Sequence, residues 1–419
     1  MRHVAKLAAL SQLLLLAAII FFLCASRAAA QQSPAPNSHS LTLRDALSLA
    51  DKQNLDLTAA RLQRAVSLAG VTIAGERPNP SATFDATRDH PHEQLVFDQP
   101  LELNGKRSTR MEEARQEAAL TDLDIAALQR EIRHQVRDAF FAAVLAKAFA
   151  DQQGRLVELA QRLRGIAQDR FNAGDVPQLE VMQADLELSR AQADQQVAQK
   201  ELTVALTRLS TLLNEPTGTP WELATPLEAA VPTLTLPNLV ARASDANPEL
   251  RHLAQEIKVE QSRQKMYQAA KFPEVSAEFG GVFNAPGEYN AGLMGGVTIG
   301  IPIFSRYQGE LAQSTANQTF IQAELQARQR SVSGEVEAAY NELLAKLTEV
   351  DLYSRTVIPA GRKLEDLTEQ SYRAGKANIL AVLDAQRSIQ ENEHDYLQSL
   401  FDLQQAFAEL EDTVGVSLD

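Results

Sequence analysis

Side chains able to catalyse a reaction or hold a metal are few and scattered in this 419-residue chain. His90 and His92 flank a proline, with Glu93 beside them. Two imidazoles on one loop bind zinc or copper weakly, because a lasting site needs three or four ligands. A plain exposed turn is the simpler reading. His134, His252 and His394 lie far apart, and none belongs to an HExxH pair. The sequence has no GxSxG elbow, no GxxxxGK(S/T) phosphate loop and no evident Ser–His–Asp arrangement. Cys24 is the sole cysteine, so no disulfide framework or thiolate metal site exists. These observations predict a protein that is not an enzyme and holds no cofactor or resident metal.

What the chain does have is organisation. Arg2 and Lys6 precede an apolar core from Leu13 to Leu23, and Ala28, Ala29 and Ala30 follow. That pattern predicts a secretory signal at 1–30, the apolar run being shorter than the ~20 residues of a membrane helix. Lipidation at Cys24 is disfavoured, because bulky Phe21, Phe22 and Leu23 precede it. Losing Arg2, Lys6 and Arg27 with the signal takes the formal charge from −14 to −17. An acidic balance argues against a nucleic-acid partner, which needs clustered Lys and Arg, and suits a soluble surface or a cation-lined passage. No later apolar run is long enough to cross a bilayer as a helix.

The sequence is one unit used twice. Leu41-Thr42-Leu43, Leu47, Ala50, Asn54 and Leu57 recur 193 residues on as Leu234-Thr235-Leu236, Val240, Ala243, Asn247 and Leu250. Pro80 matches Pro273, Pro100 matches Pro302, and Phe171-Asn172-Ala173-Gly174 matches Tyr372-Arg373-Ala374-Gly375. Each unit reads as an opening helix, a hairpin, a very long helix, a tight turn and a second long helix. The first repeat is expected over 31–215, with its hairpin near 80–103 and long helices over 105–214. A linker over 216–236 follows, then the second repeat over 237–419, with its hairpin near 273–303 and long helices over 306–415. No proline falls between Pro100 and Pro177, and roughly 65 helical residues would make a rod of about 100 Å. Leu156, Leu159, Leu163 and Ile166, like Leu400, Leu403, Phe407, Leu410 and Val414, are spaced as in a coiled coil. Pro359 falls inside the second repeat's long helix, where it predicts a kink.

Between the rods the period changes to two. Leu293, Val297, Ile299, Ile301 and Ile303 alternate with Met294, Thr298 and glycines, opposite an arm running from Val275 to Phe283. The first copy is weaker, with Phe84 on one arm and Leu95, Phe97, Leu101 and Leu103 on the other. Four strands per chain cannot close a barrel, and an open edge cannot face lipid. If these strands are in a membrane, several chains must share one barrel. A small β-cap on a soluble helical protein is the alternative.

This order of elements resembles the TolC-like outer-membrane efflux family over nearly all of the chain after the signal. The resemblance rests on Asn247-Pro248-Glu249-Leu250, on Arg170-Phe171-Asn172-Ala173-Gly174 and Ser371-Tyr372-Arg373-Ala374-Gly375, and on Val382-Leu383-Asp384-Ala385-Gln386. Leu103-Asn104-Gly105-Lys106-Arg107 is most similar to the heavy-metal branch, of the cobalt–zinc–cadmium or copper–silver type. The resemblance implies a mainly α protein with a small β part, a homotrimer sharing a 12-stranded β-barrel above an α-helical tunnel. It implies a place in the outer membrane with a large periplasmic part. Its partners would be outer-membrane lipid, a periplasmic adaptor and an inner-membrane transporter of the resistance-nodulation-division type. The function implied is the exit duct of a tripartite efflux pump, possible cargo including heavy-metal cations. A soluble periplasmic adaptor or tether also explains the rods, but its usual lipoyl-like β-domains are missing. Nothing supports a secreted hydrolase.

The resemblance also points to working residues. Gly174 and Gly375 would form the periplasmic tip turns that meet the adaptor. Asp384 matches a carboxylate position that narrows the tunnel, and Glu180 falls at the corresponding place in the first repeat. Three copies would turn them into two rings that favour cations. Without the family, both acids read as part of a solvated helix face. Tyr372 matches a tyrosine that holds the gate by hydrogen bonding. Its counterpart Phe171 has no hydroxyl, and Ala377 and Ala381 depart from charged residues of the family.

Overall fold

The computed structural model describes residues 39–89, 92–228, 230–285 and 289–418. The expected signal, His90 and most of the turn after Ala285 lie outside the described residues. The chain opens with a short strand β1 (His39–Leu41), then α1 (Leu43–Gln53) and α2 (Leu55–Ala74). The hairpin β2 (Ser81–Ala86) and β3 (Glu93–Leu101) leads into α3 (Lys106–Asn172) and α4 (Gln178–Leu212). After β4 (Trp221–Leu223), the second repeat runs α5 (Leu236–Ala246), α6 (Pro248–Ala270), β5 (Glu274–Ala285) and β6 (Tyr289–Gly300). It continues as α7 (Gln308–Leu352), a π-helical turn over Tyr353–Val357, α8 (Ile358–Arg373) and α9 (Ile379–Val414).

The single opening helix expected in each repeat is in fact two. Asn54 and Asn247 have extended backbones, and each side-chain oxygen accepts from the next helix's first free N–H groups. Asn54 Oδ1 accepts from Asp56 and Leu57, and Asn247 Oδ1 from Glu249 and Leu250. The amide nitrogens reach the ends of the closing helices. Asn54 Nδ2 donates to the Leu212 carbonyl at 3.2 Å, and Asn247 Nδ2 to that of Thr413 at 2.9 Å. One side chain thus caps a helix start and stitches the repeat's beginning to its end. Thr42 and Asp45 form a capping box on α1.

α3 is unbroken for 67 residues, about 100 Å of helix. Its counterpart in the second repeat is interrupted, as Pro359 foretold. Proline has no N–H to return to the preceding turn. The turn ahead of it widens, and the Ile358 N–H donates to the Tyr353 carbonyl five residues back. Of the coiled-coil positions, Leu159, Leu163, Leu400, Leu403, Phe407, Leu410 and Val414 are buried, while Leu156 and Ile166 are half-buried. Equivalent residues build one core per repeat. Val136, Leu57 and Leu209 sit in one; Val336, Leu250 and Leu410 sit in the other. Arg137 of α3 pairs with Glu411 of α9 and lies 5.4 Å from the Phe407 ring centroid, which ties the repeats together.

The two hairpins join into one antiparallel sheet of order β2-β3-β5-β6. Its register sorts side chains by face. Phe84, Leu95, Phe97, Phe279, Val297 and Ile299 share one face; Thr83, Asp85, Gln94, Asp98, Glu278 and Thr298 share the other. Among the described residues nothing covers the apolar face, and Phe84, Phe279, Val297 and Ile299 are all exposed. Phe97 stacks on Phe279 at 5.3 Å, while Gln94 bonds Asp85 at 3.0 Å across the polar face. Leu103, Ile301 and Ile303, expected in strands, lie beyond the strand ends. The linker is not a bare loop either. Its β4 pairs in parallel with β1, which ties the start of the first repeat to the segment before the second.

Candidate functional site

The tip of the helical hairpins is built from the same motif twice. At the end of α3, Gly174 has φ of 81°, and the N–H groups of Gly174 and Asp175 donate to Phe171 and Arg170 carbonyls. At the end of α8, Gly375 has φ of 70°, and Gly375 and Lys376 donate to Tyr372 and Ser371. Both are Schellman caps, in which a left-handed residue lets the chain reverse while the last carbonyls stay bonded. Glycine is needed there because a side chain opposes positive φ. Val176 and Asn378 then lead into α4 and α9, the latter capped by the Asn378 side chain.

Between these turns lies an apolar cluster of Leu163, Ala167, Val181, Ile379, Val382 and Tyr372, drawn from both repeats. Tyr372 is fully buried, and its hydroxyl donates to Glu180 Oε2 at 3.2 Å. The Arg170 guanidinium stacks over the Tyr372 ring at 4.9 Å and lies 3.5 Å from its carbonyl oxygen. Burial first, and then the Glu180 carboxylate, push the Tyr372 hydroxyl above the usual tyrosine range. It therefore stays protonated and able to donate. The two residues expected to act separately, as a latch and as a ring acid, are one hydrogen-bonded pair. Asp384, on the first turns of α9, is exposed.

The arrangement holds two helical hairpins together at their turns while leaving carboxylates at the edge. At the other end, an open sheet shows an apolar face that nothing among the described residues covers. Among the described residues no helix is long and apolar enough to cross a membrane, and no group of three His, Cys, Asp or Glu is placed to hold a metal.

A sequence model described as "Outer membrane efflux protein" matches residues 46–215 and 239–416. The chain belongs to the outer membrane efflux protein family. It is 27% identical over 388 residues to the cobalt-zinc-cadmium resistance protein CzcC of Cupriavidus metallidurans, covering 90% of each. Among solved structures it is similar to CusC, with a TM-score of 0.73 at 18% identity over 93% of this chain and 96% of that one. It is also similar to VceC of Vibrio cholerae, with a TM-score of 0.71 at 15% identity over 90% of this chain and 97% of that one. Members of this family are transport ducts. The chain is an outer-membrane channel with a large periplasmic part, the exit duct of a tripartite efflux system served by an adaptor and an inner-membrane transporter.

Two features of this channel escaped the sequence. Arg170 was visible only as part of a turn motif, with nothing to say that it covers Tyr372. The doubling of Asn54 and Asn247 was visible, but not that each breaks a helix. His92 Nδ1 lies 3.2 Å from the Thr87 carbonyl, as in an ordinary turn.

Proposed function

We propose that three copies of this chain form one pore, each contributing four strands to a 12-stranded barrel and its helical rods to the tunnel below. The observation that carries this reading is the sheet: four strands, two free edges at β2 and β6, and side chains sorted into an apolar and a polar face. In lipid every edge must be paired, so the sheet closes only with other copies. β5 and β6 have 12 residues each, enough to span an outer membrane with a tilt. The exposed stripe Leu179, Met182, Leu186, Val197 and Val204 along α4 supports the same reading, since neighbouring copies would cover it.

The cargo is metal cations. The likeness to a cobalt-zinc-cadmium resistance protein, the acidic chain and the tip carboxylates support this. Glu180 and Asp384 form two rings of three around the axis and draw cations in. Tyr372 latches the tip by holding Glu180, and the turns at Gly174 and Gly375 receive the adaptor. A transporter of the resistance-nodulation-division type loads the duct.

Unheated and boiled samples of detergent-extracted outer membranes, run side by side on a gel, test the assembly. A species of trimer mass that collapses on heating is expected; a monomer recovered from the soluble periplasm overturns the reading. Single-channel recordings test the rings. Glu180→Ala with Asp384→Ala should lower cation preference, and unchanged selectivity would remove both from the mechanism.

A further inference from the structure

The sheet meets the rods along a rim that the channel reading leaves unused. Each of β2, β3, β5 and β6 is flanked on its helix side by a basic residue. Arg77 precedes β2, Lys106 and Arg107 follow β3, Lys271 precedes β5 and Arg306 follows β6. Arg77, Lys271 and Arg306 are exposed, and Lys106 and Arg107 are half-buried. The Leu103–Arg107 motif is built for this place. Asn104 and Gly105 have φ of 55° and 73°, which turns the chain from strand to helix within two residues. Arg107 Nε and Arg306 Nε donate to the Gly75 and Pro302 carbonyls, which fixes both guanidinium groups at the rim.

Apolar side chains are interleaved with these charges. Leu103, Phe272, Ile301, Ile303 and Phe304 are all exposed, Phe304 by 91%. Tyr267 and Tyr307 stack nearby with ring centroids 6.1 Å apart. Acids share the level but not the role. Glu102 is held by Arg110 at 2.6 Å, and Glu274 lies on the sheet's polar face. Glu76 and Glu310 are the remaining exposed acids there. At the opposite end, Arg88 stands among Asp85, Asp89 and Glu93, so the basic excess belongs to the helix side.

We propose that this rim binds the phosphate groups of phospholipid heads in the leaflet facing the periplasm. A bilayer surface is apolar below and phosphate-bearing above, and side chains with an apolar stem and a basic head match that order. The rim presents that sequence: apolar face, then exposed Phe and Ile, then Arg and Lys. Phe304 and Ile303 enter the acyl boundary while Arg306 and Lys271 reach the phosphates. The contact fixes the depth of the barrel, and so the height at which the rods begin. This rests on the sheet being the membrane-embedded part.

The test is thermal unfolding of the purified full-length channel in maltoside micelles, with and without added phosphatidylglycerol. The lipid should raise the wild-type Tm by several degrees, and inorganic phosphate at equal concentration should not. The variant carrying Arg77→Gln, Lys106→Gln, Lys271→Gln and Arg306→Gln should lose more than half of the rise. Lys200→Gln, Lys258→Gln, Arg330→Gln and Lys363→Gln, an equal charge change on the rods, should keep it. If the fourfold rim variant does not fold, Lys271→Gln with Arg306→Gln, both at exposed positions, must still show a partial loss. An unchanged response in the rim variants, the same rise with inorganic phosphate, or no wild-type response overturns the proposal. A chain absent from the outer-membrane fraction would defeat the membrane reading instead, and the two failures are told apart by fractionation.

Discussion

The Tyr372 hydroxyl and the Glu180 carboxylate are 192 residues apart in the chain and 3.2 Å apart in space. Tyr372→Phe keeps the ring in its cluster and removes the donor, at a cost of about 1.5–3 kcal/mol for a bond to a charged acceptor. Bilayer recordings should show a higher resting conductance. Adding Glu180→Ala should raise the resting conductance little further, because both substitutions break the same contact, although cation preference should still fall with the lost ring carboxylate; additive effects on resting conductance would mean that the two act apart. Glu365 on α8 offers a pH test. Burial, and then Glu393, Asp366 and Glu369, push its carboxyl above the usual range. A carboxyl raised on folding favours the folded state while protonated, and that advantage is lost as pH rises through its folded pKa. Glu365→Gln should therefore raise Tm at neutral pH, with the gain shrinking on acidification; a constant gain would exclude the titration. Both tip residues were legible in the sequence by resemblance, yet their pairing was not. It depends on how the two repeats dock, and nothing local to either residue encodes that.

Elements show where pattern reading stops. Helix period and missing prolines located the rods, because propensity accumulates over many residues. The break at Asn54 was hidden because its signal is a single side chain whose nitrogen reaches a carbonyl 158 residues away. Asn247→Ala should cost about 1–2 kcal/mol, the cap plus the bond to Thr413, read as a lower Tm than wild type. Strand ends were overrun for a similar reason. Ile301 and Ile303 keep the alternation, but Pro302 cannot donate to a ladder and the pairing stops at Gly300. Pro359→Ala should restore an ordinary helix through the π turn. Amide exchange over Tyr353–Ile358 should then slow; unchanged exchange would mean that the close packing of Gly361 on Ile389, not the proline, sets the π turn.

Duplication governs the whole molecule, and it was the most legible feature of all. Offsets of 193 at the start of the repeats and about 200 along the rods reappear as equivalent core residues. The joining of the two hairpins was not legible, since strand pattern says nothing about which edges meet. Gly280 is the test at this scale. A Cβ there would collide with the Leu95 carbonyl oxygen across the β3–β5 ladder, so Gly280→Ala should abolish the heat-sensitive assembly on gels. Gly309→Ala, in open space on α7, should leave it intact.

The same ladder sets a timetable. Leu101 pairs with Val275, and the intervening residues include both helices of the first rod. At roughly 5–20 residues per second, synthesis of that stretch takes on the order of ten to thirty seconds. During that interval the first hairpin has left the ribosome with Phe84 and Phe97 bare and no strand to lie against. A chaperone of the exported chain would need to hold it for at least as long, and the second hairpin, made last, has the shorter wait.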